Sequence, residues 1–205
     1  MPVLDGSFEA YVTNLGKYNE GALVGEWVKF PTTQEEMQKV FERIGIGAKD
    51  EFGQVYEEWF ITDYECPLHG VYDMLGEYES LDKLNYLAGR LEELDKGEQE
   101  KLVAIMNGGC DEVSDIDDLI NLTYNTDACC LAPQVSNLQE LGAFLYENEM
   151  LSSEAMALLD TTEEDSRFRT ELLKLLGEQH KEDHGGVFTK RGYAELGGEI
   201  RPVYA

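Results

Sequence analysis

Acidic residues in this chain fall on segments that also carry regular apolar spacing, and this combination constrains the fold more than any other feature. The 205 residues include 42 Asp and Glu against 16 Lys and Arg, a formal net charge of −26. Hydrophobic residues still make up 42% of the chain, which is typical of a folded protein and not of a disordered acidic tail. We therefore expect a folded protein with a strongly negative surface.

The negative charge is greatest in the middle of the chain. Residues 1–60 hold 11 acidic and 5 basic residues, residues 61–130 hold 17 and 4, and residues 131–205 hold 14 and 7. Such a surface repels nucleic acid and anionic membranes and attracts basic partners. Duplex DNA carries one charge per roughly 1.7 Å, so one chain matches about 44 Å of duplex and a dimer about 88 Å. From composition alone, an acidic surface that only maintains solubility is the simpler explanation.

The N-terminal part of the sequence predicts an antiparallel sheet with one helix. Two stretches alternate apolar with small or polar residues around a region rich in turn formers, and in a third stretch Trp59 and Ile61 face one side and are flanked by acids. Between the second and third of these stretches, Thr32-Thr33 and Glu35-Glu36 have the spacing of a capping box, which predicts the start of a helix. This helix is expected to end at Gly45. The predicted strands cover residues 8–15, 22–30 and 56–64, within an αβ module of residues 1–66.

The middle of the chain, residues 67–125, is predicted to be a helical module with an acidic outer face. Ser80 is placed to cap a helix in which leucines recur at three- and four-residue steps from Leu81 onward. Acidic residues take its outer positions, so one side faces the core and the other faces solvent. Two further helices are expected over residues 99–106 and 114–122. The second has aspartates in its first turn, where the helix dipole favours anions.

Residues 126–205 are expected to form a mixed C-terminal module. Ser136 and Gln139 have capping-box spacing ahead of a helix that ends at Tyr146. A strand is predicted before this helix, over residues 128–132. Two helices are predicted after it, over residues 153–159 and 162–176, and a strand-like tail covers residues 185–204. The predicted fold class is α+β: an elongated chain of two to three small modules, with an N-terminal antiparallel sheet and helix, a helical middle and a mixed C-terminal module.

The chain shows no sequence feature of export or membrane insertion. Its first residues lack a basic start followed by an apolar run, and no apolar stretch approaches the ~18–20 residues of a membrane span. The four cysteines, Cys66, Cys110, Cys129 and Cys130, are too few and too irregular for a disulfide framework. We expect a cytoplasmic protein with reduced thiols and no membrane partner.

The sequence lacks the motifs of common catalytic sites. It contains no GxSxG, GxxxxGK[ST], HExxH or CxxC pattern. The acidic run from Asp111 fails as a calcium-binding EF-hand, because the positions that need Gly and Glu hold Ile116 and Leu122. Adjacent carboxylates such as Glu92-Glu93 arise by chance in a chain with 42 acids. We predict that the protein is not an enzyme and has no cofactor.

One pair of histidines has the spacing of metal ligands on a helix. His180 and His184 lie at positions i and i+4, which places two imidazoles on one face. The sequence specifies no third ligand, and a solvated helix end accounts for both residues. We predict no metal site.

Several stretches match the pattern of a known family. Residues 11–31 read YVTNLGKYNEGALVGEWVKFP, a block long enough to be specific. Three shorter blocks read WFITDYE (residues 59–65), LGEYESLDKLNYL (75–87) and DLINL (118–122). Together they resemble the ArdA antirestriction family, which is carried by conjugative plasmids and transposons. Residues 151–184 depart from that pattern and are richer in helix signals.

This resemblance implies an elongated homodimer of small α+β modules whose surface acids imitate the phosphates of bent duplex DNA. Such proteins occupy the DNA-binding groove of type I restriction-modification enzymes and block cleavage. The implied partner is a basic protein groove and not nucleic acid. The alternatives are an acidic inhibitor or adaptor of another basic nucleic-acid-binding protein, such as a CRISPR nuclease, and a small enzyme with an unrecognised carboxylate site.

A function that imitates phosphates is spread over many carboxylates, and we expect no single one to dominate. Tyr18, Trp27, Trp59 and Tyr86 are predicted to be core residues and not contacts. The candidate partner-binding acids lie on the central helices and at the end of the N-terminal module: Glu57, Glu58, Asp63, Glu65, Asp82, Glu92, Glu93, Asp95, Glu98, Glu100, Asp111, Glu112, Asp115, Asp117 and Asp118.

Overall fold

The structure is a computed structural model that describes residues 8–66, 70–71, 74–108 and 113–204. The chain is divided into two compact units. Unit 1 consists of Met1–Gln99, Asp111–Tyr124 and Arg201–Ala205, and unit 2 consists of Glu100–Cys110 and Asn125–Ile200. Helices and antiparallel sheets occur together, which confirms the α+β fold class. The three-module boundaries at residues 66 and 125 stay a prediction.

Unit 1 contains the predicted N-terminal sheet. Its strands pair in the order β2-β1-β3 and are all antiparallel to their neighbours. The pairing of the first and third strands shifts between Tyr11 and Val12, which marks a β-bulge. The first strand leads into a short helix, α1 (Leu15–Asn19), which Asn14 caps by accepting from the Lys17 backbone N–H. The strands are β1 (Phe8–Asn14), β2 (Gly25–Phe30) and β3 (Trp59–Glu65).

Alternation along β2 separates a buried from an exposed side of the sheet. Val28 and Phe30 are buried, whereas Trp27 is 40% exposed, because successive side chains of a strand point to opposite faces. Tyr18 on α1 is 51% exposed and Tyr86 is 42% exposed. The prediction that these three aromatic residues belong to the core is therefore wrong.

Helix α2 (Gln34–Arg43) begins where the capping-box spacing predicts. The Thr33 hydroxyl accepts a hydrogen bond from the backbone N–H of Glu36 at 3.2 Å. Met37 and Val40 on its inner face are buried. The helix also brings Phe41 to 6.0 Å, between ring centres, from Trp59, which is half-buried as β3 begins.

The helical middle follows the leucine spacing closely. Ser80 caps the first helix, whose Leu84, Leu87 and Leu91 are fully buried, while its acids lie outside. The second begins at Lys96, three residues earlier than predicted. The helices are α3 (Leu81–Glu93), α4 (Lys96–Gly108) and α5 (Ile116–Thr123).

The C-terminal segment of unit 1 is fixed to α5 through one buried amide. The Asn121 carbonyl oxygen accepts from the backbone N–H groups of Val203 and Tyr204 at 2.7 and 2.8 Å. Its amide nitrogen donates to the Tyr204 carbonyl at 3.2 Å. Residues 201–204 are consequently not a strand, although their apolar alternation predicted strand-like structure.

Unit 2 packs helices against a second antiparallel sheet, with strand order β4-β6-β5. Leu141 and Leu145 pack with Tyr193 and Ala132 in its core. The strands are β4 (Cys129–Pro133), β5 (Val187–Thr189) and β6 (Gly192–Leu196), and the helices are α6 (Leu138–Glu147), α7 (Ser153–Asp160) and α8 (Arg167–His184).

Two glycines allow α6 and α8 to pack with their backbones in contact. A Cβ atom at Gly142 would lie 1.9 Å from the Leu173 carbonyl oxygen, and one at Gly177 would lie 2.1 Å from that of Leu138. Neither position tolerates a side chain without separating the helices. Helix α8 continues to His184, past the predicted end at Leu176, and Gly177 lies at its contact with α6.

The starts of two helices differ from the prediction. Asn137 caps α6 in place of Ser136, whose N–H and hydroxyl instead donate to Glu140, both at 2.8 Å. Helix α8 begins at Arg167 and not at Thr162, because the Thr162 hydroxyl bonds back to the Leu159 carbonyl in a turn. Across the described ranges, no helix is both long enough and apolar enough to cross a membrane.

Candidate partner-binding surface

Thirteen of the fifteen predicted partner-binding acids lie in the described part of the chain, and most of them face solvent. Asp111 and Glu112 lie outside the described residues. Glu100 belongs to unit 2, and the other twelve belong to unit 1. Nine of the thirteen have exposed side chains: Glu57, Glu58, Asp63, Glu65, Asp82, Glu92, Glu93, Asp95 and Asp115. The remaining four, Glu98, Glu100, Asp117 and Asp118, are half-buried.

The excess of acid is greater in unit 1. Its segments hold 26 acidic and 9 basic residues, compared with 16 and 7 in unit 2. A negative surface of this kind attracts a cationic partner from a distance and orients its approach. The electrostatic part of the candidate surface therefore lies mainly on unit 1.

The two basic residues of α3 are bound by partners within unit 1. Lys83 forms an ion pair with Asp117 of α5 at 2.7 Å. Arg90 pairs with Glu93, donates to the Thr123 carbonyl at 3.1 Å and stacks over the Tyr124 ring at 3.8 Å. These contacts hold α3 against α5.

The basic residues beside the N-terminal sheet are similarly engaged. Arg43 donates to both carboxylate oxygens of Glu26, at 2.8 and 2.7 Å, and also contacts Glu36 at 3.2 Å. The guanidinium lowers the pKa of the Glu26 and Glu36 carboxyl groups below their ordinary value, so both stay ionised. Lys17 pairs with Glu20 at 2.9 Å and lies 4.4 Å from the centre of the Tyr56 ring.

Four exposed acids contrast with these pairs. Within the described ranges, none of Glu57, Glu58, Asp82 and Glu92 takes part in an ion pair. Their charge is therefore directed at solvent and is available to an incoming cation.

Other predicted acids have a structural role at helix starts. Asp95 and Glu98 cap α4 reciprocally, each carboxylate accepting the other's backbone N–H at 2.9 Å. Asp115 caps α5 by accepting from the N–H groups of Asp117 and Asp118, at 2.9 and 3.0 Å. Removing these charges would weaken the helices as well as the surface.

Asp118 is held by a serine one residue before the α5 cap. Its carboxylate accepts from the N–H and the hydroxyl of Ser114, at 3.0 and 2.8 Å. These hydrogen bonds favour the ionised form and lower the pKa of Asp118 below its ordinary value. The charge is thus fixed at one place on the surface.

A groove in unit 1 gathers four carboxylates, two of which the sequence analysis missed. Glu20 and Asp50 join the predicted Glu57 and Glu58 around a cavity of about 390 Å³. Glu20 follows α1 and Asp50 lies in the loop before β3, so only the folded sheet brings them together. No local spacing signals this grouping.

A second cavity, between α2 and α3, combines charge with aromatic surface. It has a volume of about 680 Å³ and is lined by Asp82, Phe41 and Trp59, among others. A carboxylate beside aromatic rings suits an arginine side chain, because the guanidinium can pair with the carboxylate and stack on a ring. Unit 1 therefore offers exposed carboxylates both on helix faces and in grooves.

Comparison with protein families agrees with the resemblance carried by the sequence blocks. The model of the family described as "Antirestriction protein (ArdA)" matches residues 10–183. A comparison with curated proteins found no significant match. The matched range includes every predicted partner-binding acid and most of both units. The chain belongs to the ArdA family of antirestriction proteins.

Proposed function

We propose that this protein is a DNA mimic that occupies the DNA-binding groove of a type I restriction-modification enzyme and blocks cleavage. Family membership supports antirestriction function and an inhibitor in place of an enzyme. The observation that carries the mimicry is the charge arrangement of unit 1, where the basic residues of α3 are bound internally and acids such as Asp82 and Glu92 face solvent.

The mimicry rests on matching the charge density of DNA. A groove that binds DNA is lined with cations that neutralise phosphates, and binding releases the counterions of the duplex. An acidic surface presents carboxylates to the same cations. At −26, one chain carries the charge of about 44 Å of duplex, which is comparable to the length of a protein domain.

The proposal includes a homodimer that acts in the cytoplasm, where restriction enzymes meet incoming DNA. Unit 2 exposes large apolar side chains, including Met150 at 53%, Phe168 at 59% and Leu175 at 60%. Phe168 and Leu175 lie seven residues apart on α8 and so share one face of the helix, and exposed apolar area is typical of protein interfaces. Two chains would match about 88 Å of duplex. The alternative of a different nucleic-acid enzyme as target gains no support from the family match.

Competition with DNA tests the proposal. Cleavage of a plasmid by a purified type I restriction enzyme is measured at increasing concentrations of this protein, with and without an excess of a short duplex that carries the recognition site. A mimic that occupies the DNA groove should require more protein for half-inhibition when the duplex is present. Inhibition that excess duplex leaves unchanged would exclude the groove as the binding site.

A further inference from the structure

The C-terminal unit brings a third potential ligand to the histidine pair of α8. His180 and His184 occupy the last turns of the helix, with stacked rings 4.0 Å apart. Glu195 of β6 faces them, and ligand atoms of the three residues lie within 4.8 Å of one another. The spacing of residues in the sequence did not indicate Glu195 as a third ligand, because this residue lies on a later strand and only the fold brings it close to the histidines.

The two histidines are already oriented by hydrogen bonds. The Nε2 atom of His180 lies 3.0 Å from a carboxylate oxygen of Glu195. The Nδ1 atom of His184 lies 2.9 Å from the His180 carbonyl oxygen, to which it donates when it carries the proton. That tautomer leaves Nε2 of His184 with a free lone pair, the arrangement common among metal-bound histidines.

The surroundings of Glu195 are those of a buried polar site. The side chain of Glu195 is 7% exposed and that of His180 is 13% exposed. Both line a cavity of about 290 Å³, which Tyr193 also lines. The Tyr193 hydroxyl is buried beside the Glu195 carboxylate and the backbone of Gly186. A buried carboxylate depends on polar partners, which His180 already provides and which a bound cation would supplement.

We infer that His180, His184 and Glu195 form a binding site for a divalent transition-metal ion of the zinc class. Two imidazoles and one carboxylate are a common donor set for such ions, with water in the fourth position. Metal–nitrogen distances of about 2.0–2.1 Å require the ligand atoms to converge to roughly 3.3 Å. His184 is exposed and can rotate to close this gap.

Such a site would join the end of α8 to the central strand of the second sheet. It is independent of the acidic surface, because all three ligands belong to unit 2. Two of them, His184 and Glu195, lie beyond the residues matched by the family model. The inference does not depend on the proposed function.

Zinc titration of the protein without an affinity tag tests the site. Isothermal titration calorimetry is performed with Zn²⁺ in excess Mg²⁺, which occupies the many surface carboxylates without competing strongly for imidazole. We expect one tight site per chain and a zinc-dependent rise in the melting temperature. His184→Ala should weaken zinc binding by at least about tenfold and abolish the rise in melting temperature. The effect of Glu195→Gln should be similar.

Two matched variants control for non-specific binding. His69→Ala removes the remaining histidine of the sequence, and Glu182→Gln removes an exposed acid between the two ligands on α8. Both should bind zinc as tightly as the unmodified protein. Since His184 is exposed, its variant is expected to fold even if Glu195→Gln does not. Equal zinc affinity in His184→Ala, or no saturable binding in the unmodified protein, would overturn the inference.

Discussion

Carboxylates at helix starts contribute to both folding and charge in this protein. Asp118 accepts two hydrogen bonds from Ser114, and Glu140 accepts the same two from Ser136. Each acid sits at the third position of a helix whose cap is the residue after the serine. In the sequence, Asp118 is indistinguishable from a surface acid that only contacts a partner, because both occur in the first turn of an acidic helix.

Ser114→Ala is expected to raise the pKa of Asp118 towards its ordinary value. The Ser114 backbone N–H and, to a lesser degree, the Ser114 hydroxyl lower that pKa in the folded state, so the hydroxyl bond stabilises the fold above the unfolded pKa of about 3.9. This contribution is lost as the pH falls through the lower, folded pKa. Because solvent screens this exposed contact, the variant should therefore lose less than about 1 kcal/mol at neutral pH and progressively less in acid.

Carbon-detected NMR titration of Asp118 and urea unfolding at several pH values check this expectation. Ser136→Ala is the matched control, since it removes the equivalent contact to Glu140 and should leave the pKa of Asp118 unchanged. An unshifted Asp118 in Ser114→Ala would show that the hydroxyl does not hold the charge.

Neutralising a single acid is expected to have a small effect on partner binding. An exposed ion pair contributes about 0.2–1 kcal/mol, so Asp117→Asn should weaken binding by less than about tenfold. Asp117 also forms an ion pair with Lys83, so Asp117→Asn both removes a negative charge and releases this lysine. Asp82 takes part in no ion pair within the described ranges, so Asp82→Asn removes a negative charge only. Inhibition assays on both folded variants measure this. Complete loss of inhibition by either one would exclude a distributed surface.

The elements of this fold were predictable where local signals agreed. Helix α3 follows from Ser80 and the leucine spacing, and β1 and β2 follow from alternation and turn residues. The groove formed by Glu20, Asp50, Glu57 and Glu58 was not predictable, because strand pairing and the loop before β3 create it. The length of α8 was missed because Gly177 acts at a helix crossing and not as a helix end.

Gly142→Ala and Gly177→Ala are expected to destabilise unit 2 by about 1–3 kcal/mol each, since the new methyl group would overlap backbone atoms of the opposite helix. Gly89→Ala in α3 is the control. A Cβ atom there meets nothing within 4 Å, so the higher helix propensity of alanine should stabilise the protein by about 0.5–1 kcal/mol. Urea unfolding compares the three. Equal effects at all three sites would contradict close packing of α6 and α8.

At the scale of the whole molecule, exposed apolar side chains on unit 2 predict self-association. Light scattering at micromolar concentration should give twice the chain mass of 23.1 kDa. Phe168→Glu combined with Leu175→Glu should yield a monomer, because burying a carboxylate at an interface is unfavourable. Leu23→Glu is the control, since Leu23 is 64% exposed but belongs to unit 1. A monomeric unmodified protein would rule out the dimer.

Summed charge on unit 1 is expected to govern partner affinity. Neutralising Glu57, Glu58, Asp82 and Glu92 together avoids the capping acids and should weaken binding by about 1–4 kcal/mol if the contacts add. Raising the salt from about 0.1 to 1 M shortens the screening length from about 10 to 3 Å and should reduce the difference between variant and unmodified protein.

The charge-matched control neutralises four exposed acids of unit 2: Glu163, Glu164, Asp165 and Glu199. Both variants lose four negative charges, so the long-range attraction to a basic groove falls by a similar amount in each. Only the unit 1 variant also loses carboxylates that would contact the groove. Its complex with the restriction enzyme should therefore dissociate faster than that of the unit 2 variant. Association and dissociation rates on an immobilised restriction enzyme separate the two effects. Equal dissociation rates for both variants would show that net charge, and not the surface of unit 1, determines binding.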